Sequence, residues 1–186
     1  MTYQSSPLIT EKQKQIIYGT ILGGSSIIMP NKGKNFYLAM RDKNHEWLSY
    51  KVNLLNNLFK ADKDIIKKDK TTYRAYSVSY PLFKDVHSLF YKGKDKIINR
   101  NVLDLLTDQA WMVWFIDSGR RSKRKCYLRT NKFKEEGTKN IVKYFNSLDC
   151  ECEMHKCRNR YEVVFTNKGS AEFLSIIDPC RPSFLI

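Results

Sequence analysis

The sequence predicts an α+β fold in which one structural unit is used twice. Two observations carry this expectation. Two apolar helical stretches, residues 13–28 and 104–119, each run into a glycine-containing stop, and each opens the same order of elements: helix, strand or strands, helix, strand or strands, helix. The segment between the halves, Tyr91–Arg100, is basic, holds one glycine and is too short for a free linker between independent domains. The halves are therefore expected at residues 1–97 and 98–186, packed together.

In the first half, residues 13–28 (QKQIIYGTILGGSSII) place Gly19, Gly23 and Gly24 on one side of a helix at i, i+4 and i+5, and the Gly-Ser run supplies the stop. Asn35–Arg41 reads as a strand. His45–Leu58 spaces Trp47, Leu48, Val52, Leu54, Leu55 and Leu58 as a helix does. Thr71–Ser79 is the next strand and Pro81–Tyr91 the closing helix. In the second half, residues 104–119 offer Thr107 as N-cap, Asp108 in the first turn, an apolar run from Trp111 to Ile116, and a stop at Gly119. Lys125–Thr130 follows as a strand and Glu135–Leu148 as a helix. Glu151–His155 and Arg160–Thr166 form a hairpin, and Ser170–Ile177 is the last helix.

Charge narrows the function. In 186 residues, 33 Lys and Arg stand against 19 Asp and Glu, a formal +14 that points to a polyanionic partner. No run approaches the roughly 18 apolar residues of a spanning helix, and the N-terminal stretch has no apolar core of a signal peptide. The expectation is a soluble, intracellular protein without a membrane partner. Its five cysteines are odd in number and read as reduced thiols. Cys150, Cys152, His155 and Cys157 have the residue types of a zinc site without its spacing, and strand alternation sends His155 to the face opposite Cys150 and Cys152. His45, His87 and His155 suggest no pairing with Ser or Cys, so a nucleophilic hydrolase finds no support.

Five cations in six residues, Arg120, Arg121, Lys123, Arg124 and Lys125 around Ser122, directly follow the second apolar helix. Like charges so close repel one another, and phosphate contact explains them best. Lys32 and Lys34 mirror them more weakly after the first helix.

The stretches IIYGTILGGSSI, YRAYSVSYPLFKDVHSLFYKGKDKII leading into LLTDQAWMVWFIDSG, and YEVVFTNKGSAEFLSII together resemble the LAGLIDADG homing endonucleases in their single-chain, two-repeat form. The resemblance covers nearly the whole chain. It implies two αββαββα repeats about a pseudo-twofold axis, with the motif helices packed at the centre, Gly19 and Gly23 against Val113 and Ile116. Antiparallel sheets then form a DNA-binding saddle, and a monomer suffices because both repeats lie in one chain. On that saddle Arg41, Arg74, Arg129 and Asn131 are candidates for base edges or the cleft, and Lys92, Lys94 and Lys96 fall where the family carries basic residues close to it.

In active members of the resembled family each motif helix ends in a carboxylate, usually just before the final glycine, and the two carboxylates hold divalent metal over the scissile phosphates. Here those positions are Gly24 and Ser118, which cannot ionise. Asp117 stands one position earlier, about 100° around the helix. The expected protein binds nucleic acid, double-stranded DNA first, without cutting it and without a cofactor. Two alternatives remain: a magnesium-dependent homing endonuclease that uses Asp117, and an RNA-binding intron maturase.

Overall fold

The computed structural model describes residues 6–30, 35–60 and 65–185. They form two compact units, residues 1–89 and 90–186. The expected division falls after residue 97, and the intervening segment packs with the second unit. Asp95 pairs with Lys134 at 2.6 Å, and the Ile98 carbonyl accepts a hydrogen bond from the Asn140 side chain at 3.1 Å with Ile98 itself buried. Residues 91–97 are thus bound to the second unit.

In the first unit, helix α1 spans Glu11–Gly23. It starts with a reciprocal cap, in which the Gln13 amide donates to Thr10 Oγ1 at 3.2 Å and the Thr10 amide to Gln13 Oε1 at 3.0 Å. It stops at Gly23 because Gly24 takes φ 149°, a backbone conformation that ends the helix and suits only glycine. The helix expected through residue 28 is therefore shorter: Ser26–Ile28 form strand β1, which pairs with β2 (Tyr37–Asp42). Helix α2, His45–Leu54, begins where the Asn44 side chain accepts from the Trp47 amide, and a 3-10 turn, Asn56–Leu58, completes the stretch read as one helix. Strands β3 (Ile66–Asp69) and β4 (Thr72–Tyr76) and helix α3 (Leu82–Phe90) follow. The sheet is antiparallel with order β1-β2-β4-β3, and α2 packs on β2 and β4.

The second unit opens with a small hairpin, β5 (Tyr91–Lys92) and β6 (Asp95–Lys96), and a short helix α4 (Arg100–Asp104). Helix α5 spans Asp108–Ser118 with Thr107 as its extended N-cap residue, so the stretch 104–119 is interrupted at its start. The basic run after it is a hairpin: β7 (Gly119–Ser122) pairs with β8 (Lys125–Arg129) through the turn at Lys123 and Arg124. Helix α6 (Lys134–Asn146), strands β9 (Cys152–Cys157) and β10 (Arg160–Phe165) and helix α7 (Asn167–Ile177) complete the unit. Its sheet, β7-β8-β10-β9, is antiparallel and repeats the order of the first.

Each sheet buries one face. Leu38, Met40 and Ala75 point inward from the first, and Cys126, Leu128 and Val163 from the second, where α6 and α7 cover them with Phe145, Phe173 and Ile177. Burying a large apolar side chain stabilises by about 1.5–3 kcal/mol, so this one-sided burial holds the opposite faces, polar and solvated, in fixed register. No helix among the described residues is long and apolar enough to cross a membrane.

Candidate nucleic-acid interface

The two helix ends come first. Gly24 caps α1 and carries no side chain. Ser118, the last residue of α5, is buried and donates its hydroxyl to the Trp114 carbonyl at 3.2 Å, a bond internal to its own helix. Gly119 beyond it has no room for a Cβ, which would collide with the Phe115 ring. Asp117 is half-buried and acts electrostatically on two half-buried lysines, Lys96 of β6 and Lys132 of the turn before α6. Burial, aided by repulsion from Lys132 and opposed by Asp117, lowers the Lys96 ammonium to about 7. Burial lowers Lys132 to about 8, again against the pull of Asp117.

A hard divalent cation needs converging anionic oxygens. Among the described residues no three His, Cys, Asp or Glu side chains converge, and the carboxylate nearest the end of α5 stands in the field of two lysines. These residues do not fit a divalent metal. They suit an anion better, because two ammonium groups outnumber the one carboxylate beside them.

On the first sheet, the outward parity is that of Tyr37, Ala39 and Arg41 on β2 and Thr72, Arg74 and Tyr76 on β4. Register sets Arg41 directly opposite Arg74, and Arg74 opposite Lys67 of β3, so three cations stand abreast. Such a row repels itself in isolation. Arg41 Nε is held by Thr72 Oγ1 at 3.0 Å, and Arg74 pairs with Asp69, which leaves one carboxylate for three positive side chains. Tyr37 and Tyr76 meet edge to face with centroids 6.1 Å apart, and Tyr76 is 47% exposed.

On the second sheet, Lys125, Tyr127 and Arg129 of β8 share the outward parity with Arg120 of β7 and Arg160 of β10. The Arg120 guanidinium stacks 3.6 Å from the Tyr127 ring centroid and pairs with Glu162 at 3.0 Å. Arg120, Arg129, Asn131, Arg160, Tyr161 and Glu162 line a groove of about 500 Å³. Three arginines against one glutamate make it a ready anion site.

The sequence-derived residues divide accordingly. Arg41, Arg74, Arg120, Lys125 and Arg129 share the outward sheet faces. Arg121 has the opposite parity, paired with Cys126, and Lys123 and Arg124 form the hairpin turn. Asn131 is committed to structure, its Oδ1 accepting from the Tyr161 amide at 2.5 Å. Lys92 and Lys94 are exposed on the β5–β6 hairpin, while Lys96 lies beside Asp117. Gly19, Gly23 and Val113 are buried, and Ile116 is half-buried. Lys32 and Lys34 lie outside the described residues.

Sequence reasoning missed Lys67, Lys132 and Arg160. The alternation of β10 would have flagged Arg160, whereas Lys132 is brought to Asp117 only by the 3-10 turn Asn131–Phe133. Cys150 and Cys152 are buried, their thiols pushed up to about 11 and about 12 by burial, and His155 is exposed beside Glu153 at 2.9 Å.

Residues 14–173 match the model of the LAGLIDADG DNA endonuclease family. Cytochrome b mRNA maturase bI2 of Debaryomyces hansenii is 22% identical over 160 residues, which take in 80% of this chain and 61% of that protein. The chain thus spans about three fifths of that curated relative. Among solved structures, the homing endonuclease I-WcaI bound to its DNA recognition sequence superposes with a TM-score of 0.85 at 20% identity, over 96% of this chain and 86% of that one. I-DmoI in complex with DNA and Mn gives 0.62 at 12% identity, over 90% and 96%. Identities this low show a shared fold.

Proposed function

Because this chain belongs to the LAGLIDADG DNA endonuclease family, we propose that it binds double-stranded DNA through the outward faces of its two sheets and does not cut it. The observation that carries the second half is the state of the helix ends: Gly24 and Ser118 offer no carboxylate, and Asp117 is engaged electrostatically with Lys96 and Lys132. The first half rests on the outward rows of Arg41, Arg74 and Lys67 and of Arg120, Arg129 and Arg160. These cations neutralise phosphates and release counterions, and a bidentate arginine reads the O6 and N7 edge of guanine in the major groove. Both repeats lie in one chain, so it acts as a monomer, inside the cell.

A second reading, an RNA-binding splicing helper, is favoured by one observation, the likeness to an mRNA maturase. One set of assays separates the readings. Gel retention of duplex DNA and of structured RNA is followed across a salt series, and nicking of supercoiled plasmid is followed with magnesium or manganese. Tight, salt-sensitive retention of duplex DNA without nicking is expected. Metal-dependent nicking that disappears in Asp117→Asn overturns the non-cutting reading. Preferential retention of RNA at matched salt replaces the DNA reading with the maturase one.

A further inference from the structure

On the helix-covered side of the second sheet, the start of α5, the end of α6 and helix α7 enclose a groove of about 540 Å³. Its floor is Trp111, Phe145 and Phe173, and its rim includes Leu106, Leu148 and Ile176. Leu148 is 42% exposed and the neighbouring Leu105 46%, an apolar surface left in water on a chain that is otherwise heavily charged.

The charged side chains that line it are carboxylates, with Arg100 Nη1 on the lining Ser147 Oγ at 3.4 Å. Asp108 and Asp149 line the groove, and among the described residues neither enters a salt bridge with a Lys or Arg. Glu172 and Asp149 both act on the Cys150 thiol, which places a third carboxylate nearby. The adjacent Arg100 is already held, its Nε on Asp104 at 2.8 Å and its guanidinium 4.8 Å from the Tyr144 ring centroid. On a chain of formal +14, unpaired carboxylates beside exposed leucines mark a face that phosphate-bearing ligands, whether nucleic acid or an anionic lipid surface, are repelled from.

We propose that this groove docks a partner protein through an amphipathic helix, its apolar residues at i, i+3, i+4 and i+7 entering the groove and its flanking Lys or Arg side chains meeting Asp108 and Asp149. The assignment stands apart from nucleic-acid binding, since no outward residue of either sheet lines the groove.

The probe is a fluorescent helix-forming peptide of Leu at those spacings and Lys elsewhere, with Glu-for-Lys and scrambled-Leu controls, read by anisotropy on the full chain. The Lys peptide is expected to bind about tenfold more tightly than the scrambled one. Leu148→Gln is expected to weaken it severalfold, and Asp108→Asn with Asp149→Asn to weaken it and flatten its salt dependence. These positions are exposed, and an unchanged thermal midpoint verifies folding of each variant. Affinity that is indifferent to both sets of substitutions overturns the proposal. So does a loss of DNA retention in the same variants, which would make the groove part of the nucleic-acid interface. Self-association abolished by Leu148→Gln also overturns it, with a second copy of this chain as the occupant.

Discussion

Gly24 shows how a single residue carries both structural and chemical meaning. Its φ of 149° is open to glycine alone, so an acidic side chain there meets a backbone penalty before any metal is considered. Gly24→Asp is expected to destabilise the chain by about 1–3 kcal/mol, visible as a drop of several degrees in Tm. Ser118→Asp faces a different cost, the burial of a charge, and the two together test whether carboxylates at these positions are enough for metal-dependent cleavage. Lys96 and Lys132 make a prediction in pH. Both sit below the ordinary lysine range when folded, at about 7 and about 8, so between there and about pH 10 the unfolded chain holds more protons and these groups contribute stability that grows as pH rises. A bound phosphate favours the ammonium forms, so binding takes up protons and DNA affinity is expected to fall from about pH 6.5 to 9. The double variant Lys96→Met, Lys132→Met should flatten that dependence in anisotropy titrations; an unchanged slope would remove both lysines from the interface.

At the scale of elements, what was legible in the sequence follows from where burial is one-sided. The apolar spacing of α2, α6 and α7 and the alternation of β8 and β10 are written in residues that must face a core, and these elements lie within a few residues of their expected bounds. Strands β3 (Ile66–Asp69) and β7 (Gly119–Ser122) were not legible, because both are edge strands of charged residues with almost no apolar face. Strand β1 was hidden inside an apparent helix, since Ile27 and Ile28 continue the apolar run of α1 past the point where Gly24 turns the chain. The site was half legible for the same reason. Arg41, Arg74 and Arg129 lie in recognisable strands, but which face of its own sheet each takes is set by register with partners distant in sequence. Helix α2 adds a buried group that charge counting treats as surface: Lys51 is 0% exposed, 3.9 Å from Asp42, with its ammonium 5.1 Å from the Trp47 ring centroid. Lys51→Ala removes both the charge partner and the packed stem and is expected to cost about 2–5 kcal/mol in chemical denaturation. Lys51→Met keeps the stem and should cost clearly less; equal losses would mean that the charge dominates.

At the scale of the whole chain, the two units present the same strand order and the same distribution of charge, with cations on the outward sheet faces. Each phosphate contact adds a little under one to the slope of log K against log salt, so the charge pattern is read directly in that slope. Glu substitution of Arg129 or Arg160 is expected to lower the slope by about one or more. The same change at Arg121, on the opposite face, is expected to do less. The positive residues of β3 and β7 have one more effect, which concerns how the chain behaves at high concentration. Both strands end their sheets with backbone donors and acceptors that another strand could join, and Lys67, Lys68, Arg120 and Arg121 make that joining repulsive between copies. A variant series that swaps these cations for valine or isoleucine would therefore confuse a loss of the proposed DNA binding with fibrous aggregation, whereas glutamate at the same positions tests that binding and leaves the edges guarded.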